Sequence, residues 1–85
     1  MVTETIVAKK RVLYRGKCYR LRYRLITENP NRHGIEILCQ WDGETERETV
    51  FLDRSRAEVY EIIRLFAEEQ VFPIALKETL DSYLS

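Results

Sequence analysis

The segment from Lys17 to Thr27 alternates between two kinds of side chain, and this alternation constrains the fold more than any other feature. One set of positions is apolar and the other carries guanidinium groups: Tyr19, Leu21, Tyr23 and Leu25 alternate with Arg20, Arg22 and Arg24. Successive side chains of a β-strand point to opposite faces. The segment therefore predicts a strand with one buried face and one face that displays a row of arginines.

The neighbouring segments predict further strands of an antiparallel sheet. Thr5 to Tyr14 is rich in β-branched residues, and Gly16 can supply the positive φ of a tight turn into the next strand. Glu28 to Gly34 contains Asn, Pro and Gly, which favour a loop. A third strand is predicted from Ile35 to Trp41, with one apolar face formed by Ile35, Ile37, Cys39 and Trp41.

The fourth strand, Glu44 to Leu52, follows the hairpin signal Asp42-Gly43, and its register can be set in two ways. A two-residue turn puts Glu44, Glu46 and Glu48 on the face of Ile37 and Trp41. A three-residue loop with a bulge aligns Thr49 and Phe51 with that face instead. We favour the bulge at this stage, because burial of three carboxylates costs more than a change of register.

The last third of the chain predicts two helices. Ser55 and Glu58 form a capping box. An apolar stripe with helical spacing follows it: Val59, Ile62, Ile63, Phe66 and Gln70. Pro73 suits the first turn of a second helix, whose stripe is Leu76, Leu80, Tyr83 and Leu84. The prediction is an α+β fold, in which a four-stranded, mainly antiparallel meander is followed by two helices packed on one face.

Length and charge narrow the function classes. Eighty-five residues predict a single domain over 1–85, with a β-sheet half at 1–52 and a two-helix half at 53–85. The formal net charge is zero, which is unlike a general polyanion binder. Residues 1–24 nevertheless carry eight basic residues against one acidic residue. Two cysteines and no long apolar segment predict a cytoplasmic protein with reduced thiols and no membrane association.

No pattern in the sequence predicts a catalytic site, a metal site or a cofactor, so we expect a protein that is not an enzyme. His33 is interpreted as a solvated turn residue rather than a general base. Cys18 and Cys39 are interpreted as small apolar strand residues rather than nucleophiles. Glu44, Glu46 and Glu48 are interpreted as a solvated row rather than paired acid and base catalysts. No small-molecule substrate is evident.

The arginine row needs an explanation because like charges that face each other across strands destabilise a sheet. The candidate binding surface consists of basic residues on the first two strands: Lys9, Lys10, Arg11, Arg20, Arg22 and Arg24. The register decides whether Lys10, or instead Lys9 with Arg11, lies opposite the row. The charge could be balanced by Glu36, Glu44, Glu46 and Glu48 on the same face, by a protein partner or second copy, or by nucleic acid.

Several short motifs resemble those of a family of small uncharacterised bacterial proteins. They are Gly34 to Ile37, the Gly43-Glu44 hairpin, Asp53-Arg54 before a helix, Val71 to Pro73, and Asp81 to Leu84. The chain departs from the family pattern at Phe72 and Ala75, where Thr and His are expected. The resemblance spans residues 34–84 and implies a small bacterial cytosolic protein, with no assigned mechanism.

These observations lead to two expectations about function. The first is a non-enzymatic protein-interaction module, or a small homo-oligomer, that uses the charged outer sheet face. The alternative is a nucleic-acid-binding accessory protein that uses the basic N-terminal hairpin.

Overall fold

A computed structural model describes residues 2–85 and has the predicted order of elements. The strands are β1 (Thr3–Tyr14), β2 (Lys17–Asn29), β3 (Arg32–Trp41) and β4 (Glu44–Leu52), and the helices are α1 (Arg56–Glu68) and α2 (Leu76–Leu84). A short 3₁₀ turn, Pro73–Ala75, leads into α2. The strands pair in the order β1-β2-β3-β4, each antiparallel to the next. The predicted α+β meander with two C-terminal helices is confirmed.

Tight turns close the first and third hairpins. Arg15 and Gly16 have φ of 50° and 78°, and Asp42 and Gly43 have φ of 45° and 78°. Positive φ at both central residues is the signature of a type I′ turn, whose twist matches that of the flanking strands. Both turns therefore fix the register of their strands without a bulge at the turn.

The register between β3 and β4 corrects our prediction of a bulged loop. Trp41 pairs with Glu44, and Ile37 pairs with Glu48, so the turn contains two residues. Glu44, Glu46 and Glu48 consequently lie on the face that the helices cover, which we call the inner face. Burial of carboxylates is avoided in another way: Glu44 and Glu46 are exposed, because the helices do not cover that end of β4.

The predicted loop from Glu28 to Gly34 is much shorter in the structure. β2 continues to Asn29 and β3 begins at Arg32, which leaves only Pro30 and Asn31 between them. The side-chain oxygen of Asn29 accepts a hydrogen bond from the backbone N–H of Asn31 at 2.9 Å. This is the Asx turn typical of Asn at such positions. The remaining predicted loop residues belong to strands.

Helix α1 begins as the capping box predicts. The hydroxyl of Ser55 accepts a hydrogen bond from the backbone N–H of Glu58 at 3.2 Å. The predicted stripe is buried from Val59 to Phe66, but Gln70 lies beyond the helix end, is exposed and has a φ of 54°. The left-handed backbone of Gln70 ends the helix. Its assignment to the apolar stripe was therefore wrong.

The core lies between the inner face of the sheet and the helices. Its sheet side is formed by Leu21, Tyr23, Leu25, Ile35, Ile37 and Cys39, and its helix side by Val59, Ile62, Ile63, Phe66, Leu76 and Leu80. The Tyr23 hydroxyl donates a hydrogen bond to the Val71 carbonyl oxygen at 2.9 Å, so the largest buried polar side chain is satisfied. Tyr83 and Leu84, also predicted for the stripe of α2, remain partly exposed.

The opposite, outer face of the sheet has no helix on it. Gly34 lies on this face, and a Cβ atom there would come within 2.8 Å of the Phe51 ring. The Phe51 ring covers the backbone of Gly34, which has no side chain. Within residues 2–85, no helix is long and apolar enough to cross a membrane.

Candidate functional site

The register between β1 and β2 decides which basic residues share the outer face. Arg11 lies opposite Arg20, and Lys9 lies opposite Arg22. Lys10 lies opposite Leu21, a core residue, and therefore belongs to the inner face. Of the alternatives left open by the sequence, the structure selects the pair Lys9 and Arg11. The other five candidate residues, Lys9, Arg11, Arg20, Arg22 and Arg24, lie on the outer face.

We call the four outer-face residues Lys9, Arg11, Arg20 and Arg22 the basic cluster. Directly opposed residues in an antiparallel pair have Cβ atoms about 5 Å apart, and next-but-one residues on a strand are about 7 Å apart. In the part of the chain that the structure describes, none of the four forms an ion pair. They border a shallow depression of about 310 Å³. The basic cluster is a compact group of positive charges without internal compensation.

Arg24 has a different role from the other arginines of its strand. Its Nη1 lies 3.2 Å from Oε1 of Glu36, its cross-strand neighbour, and 3.5 Å from Oε2 of Glu4. The hydroxyl of Thr49 donates a hydrogen bond to the other oxygen of Glu36 at 3.0 Å. Glu36 is only 5% exposed, so these partners replace most of the hydrogen bonds that water would otherwise supply to its carboxylate. Arg24 therefore stabilises the sheet, and its charge is already balanced.

Most of the glutamates that could have balanced the arginine row do not lie on its face. Of the four glutamates considered, only Glu36 lies on the outer face. Glu48 lies on the inner face, where Oε1 is 3.7 Å from Nζ of Lys77 in α2. Glu44 and Glu46 lie on that inner face as well. Of the three ways of balancing the arginines that the sequence left open, pairing with Glu44, Glu46 and Glu48 is therefore excluded, because it required the bulged register.

The positive surface extends toward β4 instead. The cross-strand neighbours on the outer face run from Arg22 through Leu38 to Arg47. Leu38 is only 6% exposed although no helix lies on this face. Long basic side chains can cover apolar surface with their stems while the charged heads remain in water. Arg47 was not singled out in the sequence. Because it lies on the outer face next to Leu38, it adds a fifth positive charge beside the basic cluster.

His33 is neither solvated nor in a loop, which corrects the prediction for this residue. It lies on β3 and is 5% exposed. Its Nε2 is 3.2 Å from the Pro30 carbonyl oxygen, and its Nδ1 is 3.1 Å from the Thr27 hydroxyl. A carbonyl oxygen can only accept, so Nε2 carries a proton and donates. His33 stabilises the second hairpin, and its ring nitrogens are both occupied.

The two cysteines lie on opposite faces of the sheet. Cys18 is exposed opposite Leu13 on the outer face, whereas Cys39 is buried on the inner face. Burial, followed by the nearby charge of Glu46, raises the pKa of the Cys39 thiol. A raised pKa keeps the sulfur protonated at neutral pH, and the thiol is a weak nucleophile in that form. Both cysteines are free.

Comparison with protein families gives one match over nearly the whole chain. The model of a family of unknown function, DUF6514, matches residues 3–85. The chain belongs to this family. The match includes the C-terminal motifs on which the sequence resemblance was based, and it extends across β1 and β2. No curated protein and no solved structure matched the chain.

A second surface of this DUF6514 chain escaped the sequence argument entirely. A groove of about 510 Å³ opens at the end of the sheet where β1 meets β2 and β3 meets β4. Its lining is Val12, Leu13, Tyr14, Tyr19, Cys39, Trp41, Glu46 and Phe72. We call it the aromatic groove. A signal existed in the sequence, since Tyr14, Tyr19 and Trp41 all lie close to hairpin turns that meet at one end of a meander.

A metal site has no geometric support in the DUF6514 chain as far as the structure describes it. Across residues 2–85, no group of three or more His, Cys, Asp or Glu side chains is arranged to hold a metal ion.

Proposed function

We propose that this protein is a non-enzymatic binding module whose outer sheet face contacts an acidic surface of a protein partner. The observation that carries the proposal is the basic cluster, in which Arg11 opposes Arg20 and Lys9 opposes Arg22. Each pair places like charges directly across two strands, which destabilises the isolated sheet. A partner that supplies carboxylates would relieve this repulsion and gain hydrogen bonds from guanidinium groups.

The composition of the surface around the cluster favours a protein partner. Arginine is enriched at protein interfaces, where it is combined with apolar contacts. Here the basic cluster is flanked on β1 by two exposed apolar residues of the same face: Ile6 is 48% exposed and Leu13 is 80% exposed. The cluster also lies beside Leu38, whose apolar surface is covered only by neighbouring side chains. A mixed basic and apolar surface of this kind fits an acidic protein better than a uniform polyanion.

Self-association through the outer face has weaker support than a partner of different sequence. A two-fold contact would bring one basic cluster near the other, because the acidic row Glu44, Glu46 and Glu48 lies on the inner face. Like charges across an interface oppose association. We therefore expect the partner to be another protein.

A nucleic acid is the second candidate, and the spacing of the charges favours it. Unpaired Lys and Arg side chains on one face are the usual contacts for phosphate groups. Two observations weigh against it. The formal net charge is zero, and the rings of Tyr19, Tyr23 and Trp41 lie on the inner face, where they cannot stack on bases bound to the outer face.

We also propose that the protein acts in the bacterial cytosol. Cys18 is exposed and both cysteines are free, which suits a reducing compartment. The resemblance to small bacterial proteins also supports a location in the bacterial cytosol.

The test compares defined acidic probes. Fluorescence anisotropy of labelled poly-L-glutamate, single-stranded DNA and duplex DNA is measured against the protein across a salt series. One variant replaces the basic cluster: Lys9→Gln, Arg11→Gln, Arg20→Gln and Arg22→Gln. A control variant removes the same number of charges from the helical third: Arg54→Gln, Arg56→Gln, Arg64→Gln and Lys77→Gln.

We expect poly-L-glutamate binding at low salt that weakens by about tenfold or more in the cluster variant and remains in the control variant. Equal losses in both variants would contradict the proposal, since net charge and not the cluster would then control binding. If DNA binds more tightly than poly-L-glutamate and the cluster variant loses that binding, nucleic acid becomes the favoured partner.

A further inference from the structure

The aromatic groove lies on the opposite side of the sheet from the outer face, at an end that α1 leaves uncovered. Its volume of about 510 Å³ is within the range of small-molecule sites. Most of its lining is apolar or aromatic, and it contains neither an arginine nor a lysine. A site of this shape and composition suits a ligand with an apolar body.

Three of its rings form the groove wall, with the Tyr19 ring in contact with the other two. The ring of Tyr19 is 5.7 Å from that of Trp41, tilted by 41°, and 5.7 Å from that of Phe72, with an angle of 68°. Their positions are fixed by β2, β3 and the segment before α2. Tilted and edge-to-face contacts are favourable between aromatic rings. The wall is therefore pre-formed, and a ligand does not have to order it.

The fourth ring already contacts a cation. The guanidinium carbon of Arg15 lies 5.2 Å from the centroid of the Tyr14 ring at the groove rim. The electron-rich face of an aromatic ring attracts positive charge at such distances. The rings that line the groove are thus of the type that binds organic cations elsewhere in proteins.

One acidic side chain lies in the lining of the aromatic groove. Glu46 is an exposed carboxylate that forms no ion pair among the described residues. The neighbouring Cys39 thiol stays protonated at neutral pH because burial raises its pKa. Glu46 pairs with Cys39 across β3 and β4, so its carboxylate lies beside the apolar floor. A groove whose lining is mainly apolar, with one carboxylate and no basic residue, is complementary to a cation.

We propose that the aromatic groove binds a small organic cation, with an ammonium or guanidinium group beside Glu46 and an apolar body against the rings of Tyr19, Trp41 and Phe72. The site is independent of the function proposed above. Its rings and Glu46 lie on the inner face, it contains no residue of the basic cluster, and it shares only Leu13 with the outer-face surface around that cluster.

The test uses a matched pair of probes. 2-Phenylethylammonium and 2-phenylethanol have nearly the same size and ring, and differ in the charge of the terminal group. Trp41 is the only tryptophan in the chain, so its fluorescence reports on this groove alone. Backbone amide chemical shifts from NMR give a second readout that does not depend on fluorescence.

We expect the cation to bind about fivefold more tightly than the alcohol, which is the preference expected when an exposed carboxylate and aromatic rings contact the cation. Glu46→Gln should remove this preference while the alcohol still binds. Glu78→Gln, which neutralises an exposed carboxylate on α2, should leave the preference unchanged. Equal affinities for the two probes in the unmodified protein would overturn the proposal. Absence of shifts at the groove residues with both probes would overturn it too.

Discussion

Arg24 and Glu36 lie directly opposite each other on neighbouring strands, with Nη1 of the arginine 3.2 Å from Oε1 of the glutamate. Two residues earlier on the same strand, Arg22 lies opposite Leu38 and forms no ion pair within residues 2–85. The arginine row therefore contains two kinds of residue. Arg24 forms ion pairs within the sheet, and Arg22 forms none among the described residues.

Replacing Arg24 should damage the fold, whereas replacing Arg22 should not. In Arg24→Gln, the nearly buried carboxylate of Glu36 keeps only the Thr49 hydroxyl as a hydrogen-bond donor. We expect a loss of about 2 kcal/mol in the free energy of unfolding. Arg22→Gln should change it by less than about 0.5 kcal/mol. Urea denaturation of both variants measures these changes. Similar losses of unfolding free energy in the two variants would contradict a structural role that is specific to Arg24.

The opposed pair Arg11 and Arg20 should make stability depend on salt. Salt screens the repulsion between them, so the free energy of unfolding should rise with NaCl concentration in the unmodified protein. Arg20→Gln should be more stable at low salt by about 0.5 kcal/mol and gain less from added salt. Urea denaturation at low and high NaCl measures this. As a control, Arg64→Gln removes a charge that pairs with Glu61, and should not be stabilising.

The capping box should control the titration of Glu58. Hydrogen bonds from the hydroxyl and then the backbone N–H of Ser55 lower the pKa of Glu58 below its ordinary 4.5. A lowered pKa in the folded state means that this stabilisation is complete above pH 4.5 and is lost as the pH falls through the folded-state value. In Ser55→Ala, the pKa should move back up, and stability should depend less on pH below 4.5. NMR titration of the Glu58 carboxyl carbon checks this.

Tyr23 should make the protein sensitive to alkaline pH. Burial, followed by the charge of Cys39, raises the pKa of the Tyr23 phenol above its ordinary 10.0. The unfolded chain then loses this proton at a lower pH than the folded protein, so stability should fall as pH rises above 10. Tyr23→Phe removes this contribution, and it costs about 1 kcal/mol at neutral pH because the Val71 carbonyl loses its donor. Denaturation at neutral and alkaline pH tests both effects. An alkaline loss as large in Tyr23→Phe as in the unmodified protein would contradict this account.

Much of the fold could be predicted because local patterns and tertiary packing agree in this chain. The alternation in β2, the turn glycines and the capping box at Ser55 each indicated the element that forms. The β3–β4 register was mispredicted because we assumed that the helices cover the whole inner face and exclude water from it. Helix α1 packs across β1, β2 and β3 and leaves the Glu44 end of β4 in solvent. The type I′ turn at Asp42 and Gly43 therefore sets the register at little cost.

The placement of the candidate residues could be predicted only in part from the sequence. Sequence spacing does not show which face of β1 meets the arginines or which arginine meets Glu36, so it could not distinguish Lys10 and Arg24 from the basic cluster. His33 was assigned to a loop because Asn and Pro surround it, although the turn takes only Pro30 and Asn31. The aromatic groove depends on which strand ends lie together in space. Spacing along one chain does not contain that information.

The most direct test of the central claim observes the arginine side chains during binding. Each arginine has a distinct Nε–Hε signal in an NMR spectrum, and a short glutamate-rich peptide serves as the probe. We expect the signals of Arg11, Arg20 and Arg22 to shift together when the peptide is added at low salt. Those of Arg54, Arg56 and Arg64 in the helical third should remain in place. Equal shifts in both groups, or shifts only in the helical group, would contradict the claim that the outer sheet face is the binding surface.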